Sequence, residues 1–157
     1  PVLKSGVSDV KSWDDMKLLT VAINRLDKWA QPGLLCIGDA AHAMSPMGGV
    51  GVNLAVQDAV ATANLLAAKL QQGAPDEADL AAVQARREFP VRMTQRMQVV
   101  GQDNIVAMAL KPGAALKAPL PLRIVTAIPW LQGITARFIG LGVRPEHVHS
   151  PVARSQA

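Results

Sequence analysis

Asp39 and His42 are the first residues whose spacing suggests chemistry, a carboxylate and an imidazole three positions apart in Gly38-Asp39-Ala40-Ala41-His42. Hydrolysis would also need a Ser or Cys nucleophile on an elbow motif, and none lies nearby. Glu146, His147 and His149 are metal-ligand types, but no fourth ligand stands in register with them, so no metal is expected. After His42 comes a loop rich in turn residues, with Pro46, Gly48, Gly49 and Gly51. No Gly-Lys-Ser/Thr follows it, which excludes a triphosphate-binding loop. Glycines let backbone approach something flat or anionic. A helix beginning behind them would point free N–H groups and its positive dipole end at that object. The expected ligand therefore accepts hydrogen bonds and can carry negative charge. It would lie over Gly51-Val52-Asn53, with a hydroxyl-bearing part reaching Asp39.

Two elements must position these groups. Leu34-Leu35-Cys36-Ile37 is a wholly apolar run behind the turn signal Pro32-Gly33, as expected of a strand buried on both faces in a parallel sheet. Asp39 then stands at the carboxyl end of that strand, where α/β sheets bind ligands. A nearly all-apolar helix is expected from Val52–Asn53 to about Leu70. Its few polar positions (Gln57, Asp58, Thr62, Asn64, Lys69) imply that most of its surface is covered.

Gly38-Asp39-Ala40-Ala41-His42, then Pro46, then Gly48-Gly49-Val50-Gly51-Val52-Asn53 and Gln57-Asp58-Ala59, closely resembles the second FAD motif of flavin-dependent aromatic-ring hydroxylases. That group is typified by para-hydroxybenzoate hydroxylase and the ubiquinone-pathway hydroxylases. The resemblance is strong from Leu18 to about Leu70 and loose elsewhere. It implies that Gly38-Asp39 presents a carboxylate to the ribityl chain of FAD, and that N–H groups at Val52 and Asn53 meet the flavin's pyrimidine oxygen. It also implies that Gly51 allows the approach, that the Pro46 carbonyl borders the reactive face, and that Gly48 belongs to the cofactor-binding set. His42 belongs to the motif with a positional role. The activity implied is an FAD-dependent monooxygenase in which NAD(P)H reduces the flavin and dioxygen supplies the atom transferred to an aromatic or related small molecule. Catalytic acids or bases are not identifiable in this chain.

The fold class expected is an α/β fragment: the last strands of a Rossmann-type, three-layer FAD-binding domain, followed by a mainly helical C-terminal region. Residues 1–73 would belong to the first and 74–157 to the second. No GxGxxG follows a strand, since Leu54 stands where the third Gly should be. The dinucleotide phosphates thus have no cradle here, and the chain reads as the C-terminal portion of a longer protein. N-terminal FAD-binding and substrate regions would be its partners, and it is expected to be inactive alone. The single Cys36, in an apolar run, fits a reducing, cytoplasmic compartment and is a poor nucleophile. Lys and Pro interrupt every apolar run before it reaches membrane-span length. Charge is uneven, −3 over residues 1–79 and +7 over 80–157. Without a tight basic cluster and interleaved aromatics this reads as a solvated helical surface, not a nucleic-acid site.

Along the rest of the chain, Met16–Ala22 reads as a strand pairing near 34–37, and Ile23–Trp29 as an irregular link with Trp29 as a packing residue. Gly73 and Pro75 stop the long helix. Asp76 caps the next one, which Pro90 should kink or end. Leu80, Val83 and Arg87 share a stripe, and Arg92 and Arg96 lie on the exposed side. Met93, Met97, Val100 and Ile105 form a second run in which Met serves as adaptable core filler. Leu122–Ile128 looks helical, and Pro129 opens a final amphipathic helix carrying Trp130, Ile134, Phe138 and Leu141. That helix could dock on the missing domain, on a second copy in a homodimer, or peripherally on a membrane. Two rival functions use the same residues. One is another flavin-dependent reaction, reductase or halogenase. The other is a non-catalytic helical interaction module with a vestigial flavin motif.

Overall fold

A computed structural model of the chain describes residues 11–17, 21–109 and 120–150. A hairpin of two short antiparallel strands, β1 (Ala30–Gln31) and β2 (Leu34–Leu35), turns at Pro32-Gly33, with Ala30 opposite Leu35. Four helices follow: α1 (Val50–Gln72), α2 (Glu77–Ala109), α3 (Leu120–Ala127) and α4 (Pro129–Leu141). Short 3-10 turns at Gly38–Ala40 and Met47–Gly49 lie between the hairpin and α1.

The hairpin corrects the expectation of a doubly buried parallel strand. Pro32-Gly33 folds the chain straight back on itself, so the nearest strand is antiparallel. Leu34 is 55% exposed, which a strand covered on both faces could not be. Among the described residues there is no parallel pair. Of the strand expected at Met16–Ala22, residues 18–20 lie outside the described residues. Met16, Lys17, Val21 and Ala22 are in no strand. The link after it runs alongside residues 41–43, through Asn24 N–H to Ala43 O (3.2 Å) and Leu26 N–H to Ala41 O (2.8 Å), and its last residue, Trp29, accepts the Cys36 N–H at 2.9 Å.

α1 starts slightly earlier than the glycines suggested. Gly48 (φ 77°) and Gly49 (φ 62°) take consecutive left-handed conformations that side chains resist, and these reverse the chain into the helix. Gly73 caps its end, donating to Lys69 O at 3.0 Å. Asp76 and Asp79 cap α2 reciprocally: Asp79 N–H donates to Asp76 Oδ1 (2.8 Å) and Asp76 N–H to Asp79 Oδ2 (3.3 Å). Lys69 pairs with Asp79 across the link. Pro90 does not end α2, which continues to Ala109.

α1 and α2 pack antiparallel. Leu54 shares a core cluster with Val91, Trp29 and Ala41, while Leu66 shares another with Leu80, Val83 and Ala30. Leu35 sits between the two clusters. Residues on both sides of Gly73 therefore share one interior. Trp29 packs as expected, 1% exposed. Met93, Met97 and Val100 are exposed and are not core filler; the side chain of Ile105 lies outside the described residues. By length and composition α1 could cross a membrane, contrary to the sequence reading. In this fold it buries only Leu54, Gln57, Asp58, Ala61 and Leu66 of its 23 residues and leaves Val52, Val56, Leu65 and Leu70 exposed, so it is covered along one face against α2 and not over most of its surface as expected.

The segment after α4 straps across α1. Gln57 Nε2 donates to Leu141 O (2.8 Å), Asn64 Nδ2 to His147 O (2.7 Å), and His149 N–H to Asn64 Oδ1 (2.7 Å). Arg86 holds Glu146 at 2.7 Å.

Candidate cofactor site

The stripe of α2 that faces the motif is polar. Gln84, Arg87, Gln95 and Gln98 recur at helical spacing, and each holds something on the chain between Asn24 and Asp58. Gln84 receives the Trp29 N–H (2.9 Å) and donates to Asp27 O (2.8 Å). Gln95 Nε2 donates to Asn24 O (2.8 Å) and Ala43 O (3.1 Å). Gln98 Nε2 donates to Ser45 O (2.8 Å). Backbone that forms no sheet ladder must find partners elsewhere when covered, and these amides supply them.

Arg87 reaches a carboxylate instead. Asp58, on α1, is fully buried, as is Arg87. Arg87 Nε donates to Asp58 Oδ1 at 2.8 Å. Asp58 Oδ2 lies 2.5 Å from His42 Nε2 and accepts the Gly38 N–H at 3.0 Å. An ionised carboxylate only accepts, so His42 carries its proton on Nε2 in this pair. Burial alone would push the Asp58 carboxyl up. The hydrogen bonds from His42, Arg87 and Gly38 outweigh it and hold the group below its ordinary value. His42 thus pairs with Asp58, not with Asp39. Gly38 can approach because it lacks a side chain: a Cβ there would meet the Ala55 Cβ at 3.0 Å.

The sign of the pH effect follows. A carboxyl with a lowered folded pKa stabilises the fold above its ordinary value of 3.8. That contribution is lost as pH falls through the lower, folded value. Denaturation midpoints measured through the acid range should therefore fall below about pH 4, and less steeply in an Asp58→Asn protein.

Two cavities flank the glycine turn. The larger, about 540 Å³ and open, is bordered by Asp39, Pro46, Gly49, Gly51 and Val52, together with Val21, Ala22 and residues 43–45. Asp39 is exposed, and among the described residues its carboxylate has no hydrogen-bond partner. The first turn of α1 has neither a side-chain cap nor an acidic residue, so its N–H groups remain available to an acceptor. The smaller cavity, about 160 Å³, lies across the turn. It is lined by Gly48 and Asn53, by Leu54 and Gln57 of α1, by Met97 of α2, by Phe138 and Ile139 of α4, and by Val143. Of the residues expected at the cofactor, Asp39, Pro46, Gly51 and Val52 come together at the first cavity. Gly48 and Asn53 line the second, and Gly38 is buried beneath Asp39. An open space edged by a free carboxylate and by unblocked amides suits the ribityl and pyrimidine portions of a flavin. The donor set fits that group.

The sequence reading placed Asp58 and Arg87 on their helices without a role. The available signal was an acid in an apolar helix and a base on an apolar stripe, each needing a counter-charge once buried. Glu146, one of three metal-ligand candidates, faces Arg86 and Arg87 (2.7 and 3.6 Å). Arg87 also donates to Arg144 O at 3.4 Å.

Comparison with known proteins follows the same residues. A family model described as FAD binding domain matches residues 6–97. The chain is 39% identical over 128 residues to 6-methylpretetramide 4-monooxygenase of Streptomyces rimosus, an alignment covering 82% of this chain and 30% of that protein. It is 31% identical over 131 residues to kynurenine 3-monooxygenase of Stenotrophomonas maltophilia (strain K279a), covering 83% and 27%. With FAD-dependent monooxygenase atmM of Aspergillus flavus it shares 26% over 138 residues, covering 85% and 28%. The chain spans under a third of the length of these relatives.

Proposed function

The chain belongs to the FAD-binding-domain family, and on that premise we propose that it holds the ring end of the flavin in an FAD-dependent monooxygenase. The observation that carries this reading is a single cavity bordered both by Asp39, whose carboxylate has no partner among the described residues, and by the uncapped first turn of α1. Asp39 accepts hydrogen bonds from ribityl hydroxyls. Main-chain N–H groups of Val52 and Asn53 would donate to the pyrimidine carbonyls and favour negative charge there, with Gly51 allowing the approach. Pro46 borders the ring. Bound FAD supplies electron transfer from NAD(P)H and oxygen activation, which none of this chain's side chains can provide. The smaller apolar cavity across the turn accommodates part of an aromatic or related small molecule, against Leu54, Met97 and Phe138. The parallel strands of a three-layer domain, and the phosphate cradle, belong to the rest of the polypeptide in this reading.

The test is flavin occupancy. The complete polypeptide should purify yellow. Loss of charge-assisted hydrogen bonds in Asp39→Ala should weaken FAD by roughly tenfold to a hundredfold. A colourless protein, or unchanged affinity in the variant, would overturn the proposal.

A further inference from the structure

Among the described residues the Asp39 side chain has no hydrogen-bond partner, so its backbone aims it. That backbone is fixed from behind. Gly38 O accepts N–H groups from both Ala41 and His42 at 2.9 Å, closing the turn around Asp39. Gly38 N–H and the His42 ring are both held by Asp58 Oδ2, at 3.0 and 2.5 Å. Asp58 is held in turn by Arg87 (2.8 Å), from a different helix. Neither Asp58 nor Arg87 lines the larger cavity. We infer that Asp58 and Arg87 are positioning residues for the flavin, acting through Gly38 and His42 on the aim of Asp39.

This rests on the flavin reading above and goes beyond it. The cofactor's contact surface lies on one turn and on the start of α1. Its alignment is set by a buried charge on α1, Asp58, 20 residues from Gly38 in sequence and held by Arg87 of α2. Indirect support of this kind affects ligand affinity because a group held slightly off its productive direction loses directional hydrogen bonds.

A double-mutant cycle on the complete polypeptide tests it. FAD affinity would be titrated at a temperature where melting curves show every variant folded. Asp58→Asn should weaken FAD by about tenfold. In an Asp39→Ala background the same change should matter by less than about twofold, because the group it aims is gone. Asp58→Asn/Arg87→Gln should recover most of the affinity. That neutral pair still offers an acceptor to Gly38 and His42 while removing the unpaired buried cation. A merely structural role would instead weaken FAD by the same factor with and without Asp39, and that result would overturn the inference. If Asp39→Ala itself leaves FAD affinity unchanged, the flavin reading falls first, and the two failures are distinguishable. Should Asp58→Asn not fold, Arg87→Lys takes its place in the cycle. It keeps the charge but loses the Nε–H that Asp58 receives, and it is judged by the same two outcomes.

Discussion

Asp58→Ala is expected to cost about 3–5 kcal/mol of folding stability, read as a lowered midpoint in denaturant. The magnitude comes from what is left behind. Arg87 is completely buried, and without Asp58 its nearest remaining acid is Glu146 at 3.6 Å. One of its terminal nitrogens already lacks a partner among the described residues. Removing one member of a buried pair strands the other charge, which is far costlier than losing the attraction itself. The Gly38 N–H and the His42 Nε2–H would lose their acceptor together, adding two unsatisfied groups. If both charges are replaced by apolar residues of similar volume, the part of the penalty due to the stranded Arg87 should disappear, while the two unsatisfied donors at Gly38 and His42 remain. A cost below about 1 kcal/mol for Asp58→Ala would show that water enters the cluster freely.

Trp29→Ala should be nearly as damaging, about 3–5 kcal/mol. The indole is 1% exposed and fills the space between Ala41, Leu54 and Val91. Its ring lies 5.2 Å from that of His42, tilted by 44°. Deleting it would open a cavity beneath the turn that carries Asp39. Trp29→Phe separates packing from polarity. The indole N–H is buried with no partner among the described residues, so phenylalanine removes an unsatisfied donor while keeping most of the apolar contact. We expect it to cost less than about 1.5 kcal/mol by thermal or chemical denaturation. Equal losses for both variants would mean that the indole nitrogen finds a hidden acceptor.

These two sites show where sequence and structure part company. The glycine turn, the existence of α1 behind it, the Gly73 stop and the Asp76 cap were all legible, the start of α1 only to within a few residues. Each depends on local backbone chemistry that residue type reports directly. The resemblance named Gly38, Asp39, Pro46, Gly48, Gly51, Val52 and Asn53; Asp39, Pro46, Gly51 and Val52 border one cavity, while Gly48 and Asn53 line the other and Gly38 is buried. The strand was misread because an apolar tetrapeptide does not say which neighbour covers it; Pro32-Gly33 decided in favour of a tight reversal. The methionines were misread for a related reason. Met93 and Met97 obey helical spacing, but the inward stripe of α2 belongs to Gln84, Arg87, Val91, Gln95 and Gln98. A polar inner stripe is invisible to a search for apolar periodicity. It makes sense only once α2 is seen to supply hydrogen bonds to a covered segment without a ladder.

The strap formed by Leu141 to His149 has a consequence for biosynthesis. Its bonds to Gln57 and Asn64 join positions 83 to 85 residues apart, so α1 leaves the ribosome well before its fasteners exist. Until then Arg86 awaits Glu146, and the small apolar cavity lacks the wall given by Val143. Synthesis runs from the N-terminus, and distant contacts form slowly. The nascent chain therefore presents its glycine turn early and closes the neighbouring chamber later.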